Sequence, residues 1–231
     1  MNSRTASASD NANKASSNQF RGAYFQPGLV LLSSMYLAGL LGLQIPALRE
    51  FFLPLVPFNL IASAVLLFIF HTQWSLPFVI FCAITFMVGF WVEVVGVHTG
   101  LIFGNYQYGA TLGSQWLGVP LLIGVNWLTL IYCTGIISSQ LKGSWWLQAA
   151  LGAVLMVGLD ILIEPIAIKL DFWQWDGKIP LQNYLAWFAI SFLLLSLFHR
   201  LRFSKQNKMA VYLYLIQMLF FLSHNLFVYL I

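Results

Sequence analysis

Apolar positions along this chain neither alternate residue by residue nor form a stripe at every third or fourth position; they fill whole segments. Such runs lie at about 27–45, 52–70, 76–97, 119–138, 145–168, 181–198 and 209–231. A helix rises about 1.5 Å per residue, so each run can cross a hydrocarbon layer of about 30 Å, and a helix satisfies its own backbone polar groups there. The pattern predicts an all-α fold, a polytopic membrane helical bundle of about seven transmembrane helices. Residues 1–22, rich in Ser, Asn and Ala with no apolar core segment, predict a disordered N-terminal tail and not a cleaved signal peptide. Residues 23–231 then form one transmembrane helical-bundle domain, with no short-period repeat and no linker long enough to separate two units.

The positive charges orient the bundle. Arg4, Lys14, Arg21, Lys142, Arg200, Arg202, Lys205 and Lys208 fall on the N-terminal side of alternating spans, against Arg49, Lys169 and Lys178 on the other. The positive-inside rule predicts a cytoplasmic N-terminus in a multi-pass protein of a bacterial-type inner (cell) membrane and, with seven spans, an external C-terminus. If the segment around 99–118 re-enters the membrane the count becomes six, which moves the end of the chain and not the chemistry.

Composition sharpens this picture by exclusion. The chain is 60% hydrophobic and 8% charged, where soluble domains carry roughly a quarter charged residues. The net charge of +4 comes from clustered Lys and Arg near span ends; it implies contact with membrane lipids, and no nucleic-acid motif accompanies it. Cys82 and Cys133 lie inside apolar runs without CxxC or Cys/His spacing, and no HxxxH or HxxHH pattern occurs, so the sequence predicts no metal site. Nothing matches a phosphate-binding loop or a dinucleotide fingerprint. The last span has no lysine for a retinal Schiff base.

What remains unexplained is acid in hydrocarbon. Glu93, Asp160 and Glu164 interrupt apolar runs, each at a cost of about 2.5–3.5 kcal/mol on insertion scales, so they are expected to face a bundle interior or a wet cavity. Asp160 and Glu164 are four residues apart and project from one helix face. Two such carboxyls in a poorly solvated site resist double ionisation, which keeps one protonated and makes it a candidate general acid. Pro165 follows directly, where it removes a backbone donor and is expected to kink or loosen the helix. The competing structural role for the pair is to cap loosened backbone or to pair with Lys169. Glu93 lies roughly 7 Å from the outward end of its span and Asp160 roughly 20 Å from the inner end of its own, so the three acids are expected in one outer half.

Two loops close over that half. HTGLIFGNYQYGATLGSQW offers Gly100, Gly104, Gly109 and Gly113 for tight turns or close approach, and His98, Thr99, Tyr106, Tyr108 and Trp116 as polar and π-faced groups. KLDFWQWDGK adds Trp173 and Trp175, an alternating pair suited to clamping a long conjugated chain. An interfacial aromatic belt accounts for such rings without function, though not for the glycines. In the fourth run GVNW places Asn126 and Trp127 in hydrocarbon, where the amide serves either as an interhelical tie or as a holder of water.

Three blocks, EVVGVHTGLIFGNYQYG, LGVPLLIGVNW and DILIEPIAIKLDFWQW, spread over roughly residues 88–180, resemble the integral-membrane carotenoid hydratases, the carotenoid biosynthesis family of bisanhydrobacterioruberin hydratase and γ-carotene 1′-hydratase type. The resemblance implies addition of water to the terminal 1,2 double bond of an acyclic carotenoid end (lycopene, γ-carotene or similar), giving a tertiary alcohol with no cofactor. The implied partners are a lipophilic carotenoid substrate and other carotenoid-biosynthetic enzymes. On that expectation Glu93, Asp160 and Glu164 are catalytic, a protonated member of the Asp160/Glu164 pair being the acid and Glu93 the carboxylate that handles water. The roles of Glu93 and Asp160 are interchangeable at this point. His98, Thr99, Tyr106, Tyr108, Asn126, Trp127, Trp173 and Trp175 are the expected substrate-binding residues. A cyclase or isomerase using the same protonation, a transporter and a pigment-binding scaffold are the rivals; the nearly unbroken apolar inner halves of the acid-bearing spans favour a blind pocket over a pore.

Overall fold

The computed structural model describes the backbone of residues 2–230 and the side chains of 22–227, so the expected tail, but for Gly22, lies outside the residues described in full. Among the described residues six helical stretches are long and apolar enough to cross a membrane: Gly22–Gln44 of α1 (Asn2–Gln44), the pair α2 and α3 that together cover Pro46–Ile69, α4 (Leu76–Thr99), α6 (Trp145–Lys169), α7 (Leu181–Arg200) and Lys208–Phe227 of α8 (Lys208–Leu230). The break between α2 (Pro46–Phe52) and α3 (Val56–Ile69) is a single 3-10 turn, Leu53–Leu55. The remaining expected span is the shorter α5 (Leu122–Ser138). Its expected first turn is instead extended, because Val119–Pro120 (β3) pairs with Gln115–Trp116 (β2) in a small antiparallel hairpin.

Both the interior and the outer surface are apolar, unlike a soluble protein. The outer surface carries large apolar side chains such as Leu76, Leu181, Val30 and Leu219, as expected where the surrounding medium is lipid. α5 is the axis: it touches α3, α4, α6, α7 and α8, and Leu130, Ile131, Tyr132, Cys133 and Ile136 along it are fully buried. Several hydroxyls inside the spans are satisfied locally, although Thr85 on α4 and Ser191 on α7 are buried with no hydrogen-bond partner among the described residues. Thr129 and Thr134 on α5 and Ser63 on α3 each donate to the carbonyl four residues earlier, the usual way for a short side chain to hide its proton in a helix.

One end of the bundle is tied by polar side chains. Tyr132 shares its hydroxyl with His71 Nδ1 at 2.7 Å and accepts from Asn207, which also donates to Leu67 O at 2.9 Å. The other end is closed by loops. There Tyr106–Tyr108 (β1) runs antiparallel to Trp173–Trp175 (β4), with Tyr106 opposite Trp175 and Tyr108 opposite Trp173. α6 continues through Pro165 to Lys169 without a break, and Asn225 of α8 donates to Leu162 O nearby at 2.8 Å.

Candidate active site

Successive residues of a strand point to opposite faces, so Tyr-Gln-Tyr and Trp-Gln-Trp paired antiparallel place four aromatic side chains on one face of the ribbon. Gln107 is exposed on the other face. The aromatic face looks into the bundle, and its polar hydrogens end on the acids. Tyr106 and Tyr108 hydroxyls donate to Glu93 Oε2, the second at 2.8 Å. Trp173 and Trp175 donate their indole N–H groups to Glu164 Oε2 at 3.0 and 2.8 Å. Burial, followed by the negative charge of Glu93, raises the Tyr106 and Tyr108 pKa values well above the ordinary tyrosine value, so both phenols keep the protons they donate.

Glu93 reaches this face because α4 is thinned on both sides of it. A Cβ on Gly89 would lie 2.4 Å from Trp127 Cβ, and one on Gly96 would lie 2.6 Å from the Phe103 ring and 3.1 Å from the Tyr106 hydroxyl. Residues 89, 93 and 96 share one helix face. The first glycine therefore lets α5 approach until Trp127 donates to Glu93 Oε1 at 2.9 Å; the second lets the loop fold down onto α4. Glu93 thus accepts three hydrogen bonds from neutral donors, a setting that stabilises a carboxylate without a cation. Trp127 in turn stacks on Trp187 of α7, ring centroids 4.5 Å apart and planes 24° apart.

Asn183, in the first turn of α7, joins the other two acids. Its amide nitrogen donates to Asp160 Oδ2 at 2.9 Å and to Glu164 Oε1 at 3.3 Å. All three acids and Asn183 are buried. The hydrogen bonds they receive come from Tyr, Trp and Asn, and Lys169, the alternative structural partner, supplies none of them. Asp160 Oδ1 is buried with no hydrogen-bond partner.

Glu93, Glu164, Asn126, Trp127, Trp173, Trp175 and Asn183 are among the residues lining a cavity of about 30 Å³, room for water but not for a bulky ligand. Asp160 does not line it; it stands behind Asn183. Asn126 projects from α5 into this space and makes no hydrogen bond to another described residue, so of its two expected roles the interhelical tie is not made. Among the described residues no three His, Cys, Asp or Glu side chains converge as a metal-binding group.

Of the expected site residues, the structure brings together Glu93, Asp160, Glu164, Tyr106, Tyr108, Asn126, Trp127, Trp173 and Trp175. His98 and Thr99 stand apart from them. Both are exposed at the end of α4, with His98 Nδ1 bonded to Val94 O at 2.9 Å and Thr99 Oγ1 to Val95 O at 2.7 Å. His98 follows Glu93 by five residues, about 140° round the helix, and so faces away. Trp116, too, stays outside, stacked on Phe90 at 5.7 Å. Sequence reasoning misses Asn183 and Trp187. In LQNYLAW they resemble ordinary residues at a span entrance, and the α6–α7 packing that aims them at the acids leaves no local mark.

Comparison with known proteins places the chain in a family. No solved structure matches the chain. A bisanhydrobacterioruberin hydratase of Haloarcula japonica is 31% identical over 107 residues, covering 42% of this chain and 36% of that protein; the chain thus matches about a third of the length of that curated relative. The family model described as carotenoid biosynthesis protein matches residues 55–231, a stretch that contains every acid and aromatic residue of the cluster. With most of its length matched and its helices built to span a bilayer, the chain belongs to the carotenoid biosynthesis protein family as a multi-pass membrane member.

Proposed function

We propose that this protein is a carotenoid hydratase that adds water to the terminal 1,2 double bond of an acyclic carotenoid end without a cofactor. The observation that carries the reading is the contrast between the two acids that face the cavity. Glu93 has both oxygens occupied, by two tyrosines and one tryptophan. On Glu164 the two indoles converge on Oε2, while Oε1 has only the longer contact to Asn183. In this reading Glu164 Oε1, with that single longer contact, is the oxygen that presents a proton to the cavity, and Glu93, with three donors, serves as the carboxylate.

Glu164 gives that proton to the CH carbon of the terminal isopropylidene group, and the π electrons of the double bond form the new C–H bond. The positive charge falls on the tertiary carbon, beside the Glu93 carboxylate and the π faces of Trp127, Trp173 and Trp187. A water oxygen bonds to that carbon. Glu93 accepts the proton which that water releases, and its return to Glu164 restores the starting state, so one water is consumed per tertiary alcohol formed. Asn126 supplies the otherwise unpartnered amide that holds the water. Asp160 acts through Asn183 and is a positioning residue, which separates it from Glu93, with which its role is interchangeable on sequence alone. A cyclase would quench the same cation with a second double bond folded back on the first; a cavity of about 30 Å³ beside a free amide favours water instead.

The test is expression in a bacterium that makes lycopene or γ-carotene, with pigments analysed by mass. The expected product carries one added water per reacted end, and Glu164→Gln and Glu93→Gln each remove it. Failure to add water to every acyclic carotenoid supplied, or full activity in both variants, overturns the reading. The membrane is proposed to be the cell membrane with the N-terminus cytoplasmic, which puts the acid end outside; cysteine-accessibility labelling of the 99–118 loop in intact cells checks this.

A further inference from the structure

The acid cavity is too small for its proposed substrate. Its volume of about 30 Å³ suits a water molecule, whereas pockets for organic ligands run from about 300 to 1,000 Å³. A second cavity of about 380 Å³ lies against it, and Ile123, Asn126, Ile163 and Trp173 line both. Its walls come from α1, α3, α5 and α8 and are overwhelmingly apolar, with Tyr36, Gly39, Ala62, Leu130 and Phe220 among them. Along α5 it follows one face from Leu122 to Leu130, about 12 Å. Phe58 lines it while being 67% exposed, so the groove reaches the lipid-facing surface beside that ring.

We infer that this groove holds the polyene shaft of the substrate, which enters from the bilayer beside Phe58 and advances its terminal double bond past Asn126 and Trp173 to the acids. The inference rests on the proposed hydration for its ligand class and adds a binding site remote from the charged cluster. Three observations support that occupant. The groove shares four wall residues with the acid cavity and reaches the lipid-facing surface, where such a molecule is dissolved. Its lining offers a hydrocarbon chain dispersion contacts. Its length along α5 is far short of the bilayer thickness, so a longer chain continues past Phe58 into lipid, and the structure of its distant end is not read.

The test uses the full chain in phosphatidylcholine nanodiscs with lycopene as the probe. Ala62 lines the groove wall and has no part in the acid cluster. Ala62→Cys is made with Cys82→Ala, since Cys82 is only half-buried whereas Cys133 is buried. The folded protein is then treated with benzyl methanethiosulfonate. The expected result is that the adduct lowers lycopene retained after repurification at least tenfold and that dithiothreitol restores it; the restoration separates blockage from misfolding. Equal retention with and without the adduct, no retention by the unmodified protein, or displacement by the adduct of a phospholipid alone overturns the inference. Glu164→Gln is expected to retain lycopene like the parent. Adduct-sensitive retention with no hydrated product from the unmodified protein would leave the groove standing and remove the hydratase reading.

Discussion

Asn183→Leu is the most informative single substitution at the acid cluster, because leucine keeps the volume and removes only the amide. The amide makes two hydrogen bonds, 2.9 Å to Asp160 and 3.3 Å to Glu164. Without it Glu164 keeps both indole donors, but Asp160 keeps none, since its Oδ1 already has no partner. A hydrogen bond to a charged group, as to the Asp160 carboxylate, contributes about 1.5–3 kcal/mol, and the longer bond to the protonated, neutral Glu164 about 0.5–1.5 kcal/mol. If about 3 kcal/mol of the combined contribution is expressed in the transition state, turnover falls roughly a hundredfold, at 1.36 kcal/mol per factor of ten. The assay is single-turnover conversion of lycopene in nanodiscs, with retained lycopene measured on the same sample. Turnover should fall while retention stays at the parental level, because Asn183 does not line the apolar groove. A folded variant that turns over within about threefold of the parent would refute the claim that this amide sets the geometry of the acids. Equal losses of turnover and retention would refute the separation of binding from chemistry.

Three further outcomes follow from the same geometry. His98→Ala and Thr99→Ala should leave turnover within about twofold of the parent, since both side chains bond to their own helix on an exposed face; a large loss in either would return that face to the site. Gly96→Ala should lower thermal stability by about 1–3 kcal/mol, the usual cost of overpacking, because the added methyl meets the Phe103 ring at 2.6 Å; calorimetry against Gly22→Ala, where nothing lies within 4 Å, isolates that contact. The raised pKa values of Tyr106 and Tyr108 mean that the folded state holds their protons more tightly than the unfolded chain does. Their contribution is fully present below the unfolded value of about 10 and is lost as pH rises above it. The double substitution Tyr106→Phe/Tyr108→Phe should therefore flatten the fall of melting temperature between about pH 9 and 11, and an unchanged slope would contradict the assignment.

Much of this is legible in the sequence, for identifiable reasons. Runs of twenty apolar residues admit little but a spanning helix, and a carboxylate within one must face something polar, so Glu93, Asp160 and Glu164 stand out by position alone. The i, i+4 spacing of Asp160 and Glu164 fixes their shared face. The ribbon is half visible: Tyr-Gln-Tyr and Trp-Gln-Trp each show the two-residue period of a strand, but their pairing joins loops from different parts of the chain, and nothing local encodes that register. Proximity along the chain groups His98 with Glu93, although its angular offset from that acid turns it outward. Asn183 and the apolar groove leave no such trace. The first depends on where α7 docks against α6, and the second is a space whose walls are ordinary leucines, phenylalanines and small residues, chemically indistinguishable from core.

Gly89 and Gly96 carry a lesson for anyone moving this chemistry into another protein. Grafting Glu93, Glu164 and their aromatic donors onto a new helical scaffold would copy every polar atom and still fail if the recipient helix carried alanine four residues before the acid or three after it. One added methyl would hold the neighbouring helix off, the other would prop the loop open, and the carboxylate would be left without its donors. The transferable unit is therefore a spacing of absences around an acid, and a search for related sites in other membrane proteins should look for glycines flanking a buried carboxylate at those offsets before it looks for the carboxylate's partners.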